Sequence, residues 1–296
     1  MTQHKPLRFS IVVPALNEAR YIADTLDSIK RQDFTGSWEV IVVDNASTDN
    51  TAIIAERLGA RVVKETRLGI CYARQKGTEL AQGEIVISTD ADTVFKNNWL
   101  TNIDKAFQAN KNCVAVAGPC KYTNGPLWGE IYPILLFGFV YIVSKLTGRV
   151  VYITATNTAF KKSTWSGYNT ELTQGGDELD LLRNLQKRGK VIFNLNNPSY
   201  TSARRLVRGL LYNIFVSFLT YYVLEYNLSR IFKHRFFGRA PIFRNEFSPK
   251  TLQFIQSFVV IAIVVLFAIY TRPGHYFVRK SHTFIETTSH GIRQRL

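Results

Sequence analysis

Apolar residues follow two alternating patterns along residues 7–120 of the chain. Short runs rich in valine and isoleucine predict buried β-strands, and segments whose apolar residues recur every three or four positions predict helices. The predicted strands are residues 7–15, 38–46, 60–65, 84–92 and 113–119, and the predicted helices are residues 18–32, 51–60, 71–83 and 99–110. Apolar strands that alternate with helices predict an α/β fold, in which helices cover both faces of a mostly parallel sheet.

Polar residues gather at the carboxyl ends of three predicted strands, where ligands bind in open parallel sheets. They are Asn17, Glu18, Asp44, Asn45, Asp90 and Asp92. Burying an unpaired carboxylate is costly, so Asp90 and Asp92, at alternate positions, need a partner. A divalent cation is one such partner, since it takes carboxylate oxygens and can bridge to a diphosphate. The alternative is a pair of solvated aspartates in a turn.

A second signal lies where Asp44 leaves a buried strand and enters a polar loop that opens a helix. An ionised carboxylate only accepts hydrogen bonds, so Asp44 can take the imide N–H of a uracil or the amino group of another base. The alternative is a turn or helix cap, a role that we expect Ser47, Thr48 and Asp49 to fill.

Three acids, Asp177, Glu178 and Asp180, crowd the start of another predicted helix, directly after Gly175 and Gly176. The helix dipole favours acids at this position, which is one explanation. Three acids in four residues exceed what capping requires, and repulsion among them can raise one pKa toward the range of a general base.

Positive charge is concentrated in the last third of the chain. The net charge is +15, and residues 201–296 contain 14 Lys and Arg against 3 Asp and Glu. Because these basic residues are mixed with aromatic and aliphatic ones, they favour an anionic membrane over nucleic acid. We expect seven of them to contact lipid headgroups: Arg204, Arg205, Arg208, Arg230, Lys233, Arg235 and Arg239.

Three uncharged apolar runs bear on the membrane. Residues 251–271 can cross the roughly 30 Å hydrocarbon core as a helix with a rise of about 1.5 Å per residue, the alternative being a buried core helix. Runs 131–144 and 209–224 are shorter, and each fits either a buried or an interfacial helix. The chain begins without the features of a secretory signal, and its three cysteines form no CxxC pair, so we expect a cytosolic catalytic domain at the cytoplasmic membrane.

Five motifs in order resemble those of the inverting family 2 glycosyltransferases, which have the Rossmann-like, A-type nucleotide-sugar-binding fold. The motifs are IVVPALNE at 11–18, VDNASTD at 43–49, DAD at 90–92, NTAFKK at 157–162 and DELDL at 177–181. The resemblance covers about residues 8–202. It implies that Pro14, Ala15 and Glu18 line the nucleotide pocket and that Asp44 reads the base. The loop around Asn157 would approach the sugar and the acceptor.

The resemblance also implies a metal site and a base. Asp90 and Asp92 would hold the ribose and the metal-bound diphosphate, with Mn²⁺ or Mg²⁺ as the cofactor. The general base would come from the cluster of Asp177, Glu178 and Asp180. The family's acidic pair usually reads Glu-Asp and here reads Asp-Glu, so the choice between Asp177 and Glu178 stays open.

Two further departures from the motifs of related enzymes narrow the range of reactions that the chain is expected to catalyse. The Gln-x-x-Arg-Trp element of processive polysaccharide synthases is absent, and residues 202–208 read SARRLVR, which argues against a processive polymerase. The Leu-Gln-His-Pro typical of polyprenyl-phosphate sugar synthases is replaced by TVF at 93–95, which weakens a lipid-phosphate acceptor.

The predicted function is metal-dependent, inverting transfer of one sugar from a nucleotide-diphosphate sugar, expected to be UDP-linked, to a hydroxyl of a lipid-linked or cell-envelope glycan. The alternatives are a polyprenyl-phosphate glycosyltransferase and, from another class, a non-catalytic membrane-surface binding module. The predicted organisation is a catalytic domain over 1–202, a basic amphipathic segment over 203–250, a transmembrane helix over 251–271 and a basic tail over 272–296.

Overall fold

The computed structural model describes residues 7–170 and 177–214, together with Thr220, Leu224 and Leu228. The predictions for residues 251–271, and for the basic residues of the C-terminal third beyond Arg208, lie outside the described residues.

Up to residue 117 the described strands and helices follow the predicted order, with one unpredicted strand at Thr93–Phe95 before the helix predicted over 99–110. The strands are β1 Phe9–Ala15, β2 Trp38–Asp44, β3 Arg61–Lys64, β4 Ile85–Ser88, β5 Thr93–Phe95, β6 Cys113–Ala117, β7 Cys120–Thr123, β8 Thr158–Lys161, β9 Lys190–Phe193 and β10 Ser199–Ser202. The helices are α1 Ile22–Lys30, α2 Thr51–Arg57, α3 Ile70–Leu80, α4 Trp99–Gln108, α5 Leu127–Thr147, α6 Asp177–Gln186 and α7 Gly209–Tyr212. Short 3₁₀ turns lie at Ala155–Asn157, Lys162–Thr164 and Ala203–Arg208.

The larger sheet has the strand order β3-β2-β1-β4-β8-β6-β9. Its neighbouring strands run parallel except at β8, which is antiparallel to both β4 and β6. Ala15 at the end of β1 lies opposite Asp44 at the end of β2, and Val12 lies opposite Ser88 at the end of β4. The loops that follow these strands therefore meet at one edge of the sheet. The predicted α/β fold with a mostly parallel sheet is confirmed.

Helices cover both faces of this sheet, because its strands are apolar on both sides. Alternate residues of β1 point to opposite faces. Phe9 and Ile11 belong to an apolar cluster with residues of α1, α2 and α4, whereas Val12 belongs to a cluster with residues of α3, α5 and α6. The two apolar layers fix the edge of the sheet where the loops after β1, β2 and β4 come together.

A smaller sheet of order β5-β10-β7 carries the chain back to the same edge. The predicted strand over 84–92 ends at Ser88, so the Asp-Ala-Asp motif lies in the connection between β4 and β5. The backbone N–H of Ser202, at the end of β10, donates to the backbone oxygen of Asp92 at 3.1 Å. The small sheet thus brings residues 199–206 to the Asp-Ala-Asp loop.

The run at 131–144 lies inside α5, a 21-residue helix that is longer than the run itself. Among the described helices, α5 is the one that is long and apolar enough, by length and composition, to cross a membrane. One of its faces is buried in the protein through Pro133, Phe137 and Val140. Of the run at 209–224, the structure assigns Gly209–Tyr212 to α7.

Candidate active site

The loops after β1 and β2 are joined side by side. The backbone N–H of Asn17 donates to Ser47 Oγ at 2.9 Å, and the side-chain oxygen of Asn17 accepts from the backbone N–H of Thr48 at 2.6 Å. The backbone N–H of Glu18 donates to Thr51 Oγ1 at 2.7 Å. These bonds fix the predicted nucleotide pocket wall, formed by residues 14–18, against the loop that begins at Asp44.

Asp44 is buried, with 6% of its surface exposed, at the end of β2. One carboxylate oxygen accepts the backbone N–H of Ser47 at 3.0 Å, so Asp44 also stabilises the turn, a role that the sequence assigned to its neighbours. An ionised carboxylate offers about four acceptor positions, and Asp44 can therefore hold this turn and still accept a hydrogen bond from a base.

Arg74 joins two of the predicted site acids. It lies on the buried face of α3 with 3% of its surface exposed. Its Nη2 donates to Asp90 Oδ1 at 3.0 Å, and its Nη1 donates to Asp177 Oδ2. Burial opposes the charged form, but the carboxylates of Asp177 and Asp90 outweigh it and raise the pKa of the Arg74 guanidinium far above its usual range. The Asp-Ala-Asp loop and the start of α6 are therefore tied together.

Arg204 makes a second link. Its Nη1 and Nη2 donate to the two carboxylate oxygens of Glu18 at 2.7 and 2.6 Å, and Nη2 lies 2.9 Å from Asp92 Oδ2. The guanidinium also stacks 5.0 Å from the centroid of the Tyr21 ring. Thr201 Oγ1 donates to the other oxygen of Asp92 at 3.3 Å. The segment that follows β10 thus closes one side of the site.

Glu178 differs from Asp177 in its surroundings. Its Oε2 is buried and has no hydrogen-bond partner within the part of the chain that the structure describes. Burial, and next the charge of Asp177, raise the pKa of Glu178 well above its usual range. Asp180 is half-buried, two residues further along the helix. Glu178 is therefore the acid of this cluster whose buried carboxylate oxygen has no partner among the described residues.

Asp90 and Asp92 suit a divalent cation that is shared with a diphosphate. In residues 7–170 and 177–214, no group of three or more His, Cys, Asp or Glu side chains could hold a metal. A cation that also takes diphosphate oxygens and water needs only one or two protein carboxylates. Arg204 offers one positive charge to the two carboxylates of Glu18 and Asp92. Arg74 also pairs with Asp90, and the charge of Arg205 acts on Asp90 and Asp92, so a cation would share these carboxylates with arginines. The carboxylate oxygens of Asp90 and Asp92 are of the kind that Mg²⁺ or Mn²⁺ takes as ligands, so the residues present fit either ion.

The structure gives Asn157 a structural position that the sequence did not indicate. Its side chain is buried, accepts from Trp99 Nε1 at 2.9 Å, and donates to the backbone oxygens of Pro119 and Asn197 at 3.0 and 2.8 Å. These hydrogen bonds occupy the side-chain amide, so it is not free to contact the sugar. The predicted approach of Asn157 to the sugar stays a prediction.

The expected contact of Arg204 with lipid headgroups is wrong for this residue. Its side chain is 11% exposed and pairs with Glu18 and Asp92, because β10 carries it to the edge of the large sheet. Sequence reasoning also missed Arg74. Its signal was available, since an arginine falls among the apolar positions of the predicted helix, between Cys71 and Gly77.

A comparison with known protein families shows which family the chain belongs to. The model of the family described as glycosyl transferase family 2 matches residues 10–166, which is just over half of the chain. The chain belongs to this family. The resemblance to this family is confirmed. The match contains four of the five motifs, including the loops that carry Asp44, Asp90 and Asp92, and it ends before the DELDL motif at 177–181.

Two curated glycosyltransferases are similar to part of this chain. Poly(ribitol-phosphate) β-N-acetylglucosaminyltransferase TarS of Staphylococcus aureus (strain Mu50) is 36% identical over 101 residues, which is 32% of this chain and 18% of TarS. A PGL/p-HBAD biosynthesis glycosyltransferase of Mycobacterium bovis (strain BCG) is 39% identical over 90 residues, which is 28% of this chain and 35% of the relative. The matches span less than half of the length of these relatives.

Solved structures share the fold. The structure of S. aureus TarS 1–349 in complex with UDP has a TM-score of 0.56 at 22% identity and covers 67% of this chain and 61% of its own. The mannosyltransferase PcManGT from Pyrobaculum calidifontis, in complex with GDP-Man and Mn²⁺, has a TM-score of 0.59 at 24% identity and covers 79% of this chain and 66% of its own. At these identities the likeness supports the A-type fold.

Proposed function

We propose that this family 2 glycosyltransferase transfers one sugar, with inversion, from a nucleotide-diphosphate sugar to an acceptor hydroxyl. The observation that carries the proposal is the buried guanidinium of Arg74, which bonds to Asp90 on the donor side and to Asp177 at the start of α6. One side chain thereby fixes the distance between the acids that would hold the donor and the acids that would act on the acceptor.

The donor would lie along the edge of the large sheet. Asp44 would accept a hydrogen bond from the base, next to the wall of Pro14 and Ala15, since Ala15 and Asp44 are opposite each other in the sheet. Asp90 would face the ribose, and Asp90 and Asp92 would hold a divalent cation. That cation, when bound, would neutralise charge that develops on the diphosphate leaving group.

Glu178 would remove the proton from the acceptor hydroxyl. A hydroxyl is a poor nucleophile at neutral pH, and a carboxylate within hydrogen-bond reach is typically worth 10²–10⁴-fold. Asp177 is held by Arg74, whereas Glu178 keeps a carboxylate oxygen without a partner among the described residues. We therefore assign the base to Glu178, with Asp177 as the residue that positions it.

The acceptor would be a lipid-linked or cell-envelope glycan at the cytosolic face of the cytoplasmic membrane. The names of two relatives support this choice, since TarS is named a poly(ribitol-phosphate) β-N-acetylglucosaminyltransferase and the mycobacterial relative is named for PGL/p-HBAD biosynthesis. The uncharged residues 251–271 would anchor the chain, and the basic C-terminal residues would favour anionic lipid.

A thermal-shift screen of the full chain tests the donor and metal parts together. UDP-, GDP- and dTDP-sugars are added with and without Mn²⁺ or Mg²⁺, and we expect one nucleotide, UDP first, to raise the melting temperature only with metal, since a ligand that binds the folded state stabilises it. The Asp92→Asn variant should lose this metal-dependent shift and about 10²-fold or more in transfer.

The matched control is Asp24→Asn, the same chemical change at an exposed position of α1. It should respond to donor and metal as the wild type does. A normal metal-dependent shift and normal turnover in Asp92→Asn would refute the metal assignment. The absence of any shift with all three nucleotide classes would favour the non-catalytic alternative.

A further inference from the structure

Helix α5 presents a continuous apolar stripe on the surface of the protein. Its exposed apolar residues recur every three or four positions, which places them on one helical face. They are Leu127, Ile131, Ile134, Leu135, Phe139, Ile142 and Leu146, with exposed fractions of 39% to 81%. No charged residue falls between 131 and 144. A monomer in water rarely exposes a large contiguous apolar surface, so this stripe indicates a contact.

The opposite face of α5 is packed on the protein. Phe137 stacks on Phe193 of β9 with ring centroids 5.9 Å apart, and Pro133 and Val140 are buried on the same side. The backbone of Gly129 lies so close to Leu206 that a side chain there would collide with it. A helix with one face on a sheet cannot have lipid all around it, so α5 is suited to lie along a membrane surface rather than to cross it.

Charge selects the occupant of the stripe. Lys145 and Arg149 are exposed at the C-terminal end of α5, and Lys145 lies 5.3 Å from the centroid of the Tyr141 ring. Basic residues and tyrosines that flank an apolar face are typical of helices at a lipid interface. The chain as a whole has a net charge of +15. Glu130 is the one acid of α5, and against it Lys145 and Arg149 leave this surface with a net positive charge. A second copy would bring these like charges together, whereas an anionic lipid surface complements them.

We propose that α5 lies in the headgroup–acyl boundary of an anionic bilayer, with its apolar stripe in contact with lipid chains. Residues 203–206 pack against the start of α5 at Gly125 and Gly129, and Arg204 of this segment bonds to Glu18 at the site. The site therefore lies beside the membrane-facing helix. The next step rests on the proposed function. The acceptor is an amphiphile, and its hydroxyl-bearing head group leaves the bilayer at the start of α5.

The lipid contact is tested on the full chain with a fluorescent label. The three native cysteines are buried, so a cysteine introduced by Phe139→Cys is labelled selectively with an NBD probe. The control is Lys187→Cys, at an exposed polar position of the chain. Both proteins are reconstituted into vesicles of phosphatidylcholine and phosphatidylglycerol, with and without nitroxide-labelled lipid.

At position 139 we expect a blue-shifted emission that nitroxide lipid quenches, and at position 187 an unshifted emission that aqueous iodide quenches. A label at 139 that iodide quenches as at 187 would overturn the proposal. A blue-shifted label at 139 that nitroxide lipid does not quench would also overturn it, because the chain itself or a second copy would then cover α5. Neither readout depends on catalysis.

The acceptor step is tested with the double variant Leu135→Glu and Phe139→Glu. Both side chains are 61% exposed, so the fold should tolerate them. We expect transfer to a bilayer-embedded acceptor to fall about tenfold or more, with unchanged hydrolysis of the donor in the absence of acceptor. Unchanged transfer would refute the amphiphile. A wild type that neither transfers the sugar to an acceptor nor hydrolyses the donor would refute the proposed function, and the labelling result would still decide the lipid contact.

Discussion

Arg74 determines which acids of the site are held and which remains available. A buried guanidinium paired with two carboxylates is fixed in place, since leaving either charge unpaired inside the protein is strongly unfavourable. Its bonds to Asp90 and Asp177 restrict both side chains. Glu178 follows directly in sequence but keeps an unpartnered oxygen among the described residues. The reversed order of the acidic pair therefore puts the longer side chain at the position that can receive a proton.

Substitution of the acidic pair separates catalysis from positioning. Glu178→Gln should keep donor and metal affinity and lose transfer by about 10²–10⁴-fold, because the amide cannot accept the proton of the acceptor hydroxyl. Asp177→Asn should instead lower the free energy of unfolding by about 1–3 kcal/mol, because it weakens the bond to Arg74. Initial-rate kinetics and urea unfolding measure the two effects. Normal transfer in Glu178→Gln together with its loss in Asp177→Asn would move the base to Asp177.

The raised pKa of Glu178 predicts opposite effects of pH on activity and stability. Burial, and next the charge of Asp177, raise this pKa above that of the unfolded chain. The folded state then binds more protons than the unfolded state between the two pKa values, so Glu178 stabilises the fold fully below its unfolded pKa and this contribution is lost as pH rises through its folded pKa. Transfer, which needs the ionised base, should rise over the same interval.

The comparison with Glu178→Gln isolates this effect. Urea unfolding of both proteins across the pH range should show the wild type losing stability relative to the variant as pH rises above about 4.3, the ordinary glutamate value. Acids that do not interact with Glu178 cancel in the difference, whereas Asp177 titrates together with it. A stability difference that does not change with pH would mean that Glu178 is as well solvated in the folded chain as in the unfolded one.

At residue level, the sequence predicted the acids and missed their partners. Asp44, Asp90 and Asp92 stand at strand ends that apolar patterns define, so local sequence was enough to find them. Arg74 could have been found from helical spacing alone. Arg204 could not, since its contacts with the site depend on strand pairing between β10 and two distant strands.

At the level of elements, α3 depends on a glycine for its close approach to the sheet. A Cβ on Gly77 would collide with Val12 and lie 3.0 Å from Val43 Cγ2. Gly77→Ala should therefore lower the free energy of unfolding by about 1–3 kcal/mol, since overpacking outweighs the better helix propensity of alanine. Urea unfolding measures the change. Because Arg74 lies on the same helix, we also expect Gly77→Ala to reduce the stabilisation that the donor produces.

Gly138 in α5 is the matched control, because nothing lies within 4 Å of the Cβ that alanine would add. Gly138→Ala should stabilise the protein by about 0.5–1 kcal/mol through helix propensity alone. If Gly77→Ala and Gly138→Ala stabilised the protein by the same amount, α3 would not be packed as tightly as the structure indicates.

The elements that the sequence did not predict are short or lack a clean period. Strands β5, β7, β8, β9 and β10 have three to four residues each, so neither alternation nor length distinguishes them from loops. Helix α5 was expected only as the shorter run at 131–144, although its sequence carries boundary signals. It follows Pro126 and ends at Gly148, whose φ of 70° is left-handed, and these are common residues at a helix start and stop. Glu130 and Lys145 interrupt the apolar sequence near the two ends of α5, so the uncharged run is shorter than the helix.

At the level of the whole molecule, the small sheet links the C-terminal part of the chain to the catalytic edge. β10 pairs with β5 and β7, and Ser202 bonds to the backbone of Asp92. The proposed boundary at residue 202 therefore falls inside a segment that the site uses. A chain shortened to 202 to remove the membrane segment would also lose Arg204, so loss of activity in such a chain would not by itself report on the membrane.

Substitution of Arg204 in the full chain tests this link directly. Arg204→Gln removes the positive charge that Glu18 and Asp92 share, and it should lower the free energy of unfolding by roughly 3–5 kcal/mol, the usual cost of breaking a buried ion pair. Arg204→Lys should fall between Arg204→Gln and the wild type, because an ammonium cannot bond to both Glu18 oxygens with the geometry of a guanidinium. Lys187→Gln, at an exposed position, is the charge-matched control and should change little.

Because a divalent cation can replace part of the missing charge, Mn²⁺ should stabilise Arg204→Gln more than it stabilises the wild type in urea unfolding. Equal stabilisation of both proteins by Mn²⁺ would mean that the cation does not bind beside Asp92, and an unchanged unfolding free energy in Arg204→Gln would mean that the segment after β10 does not close the site.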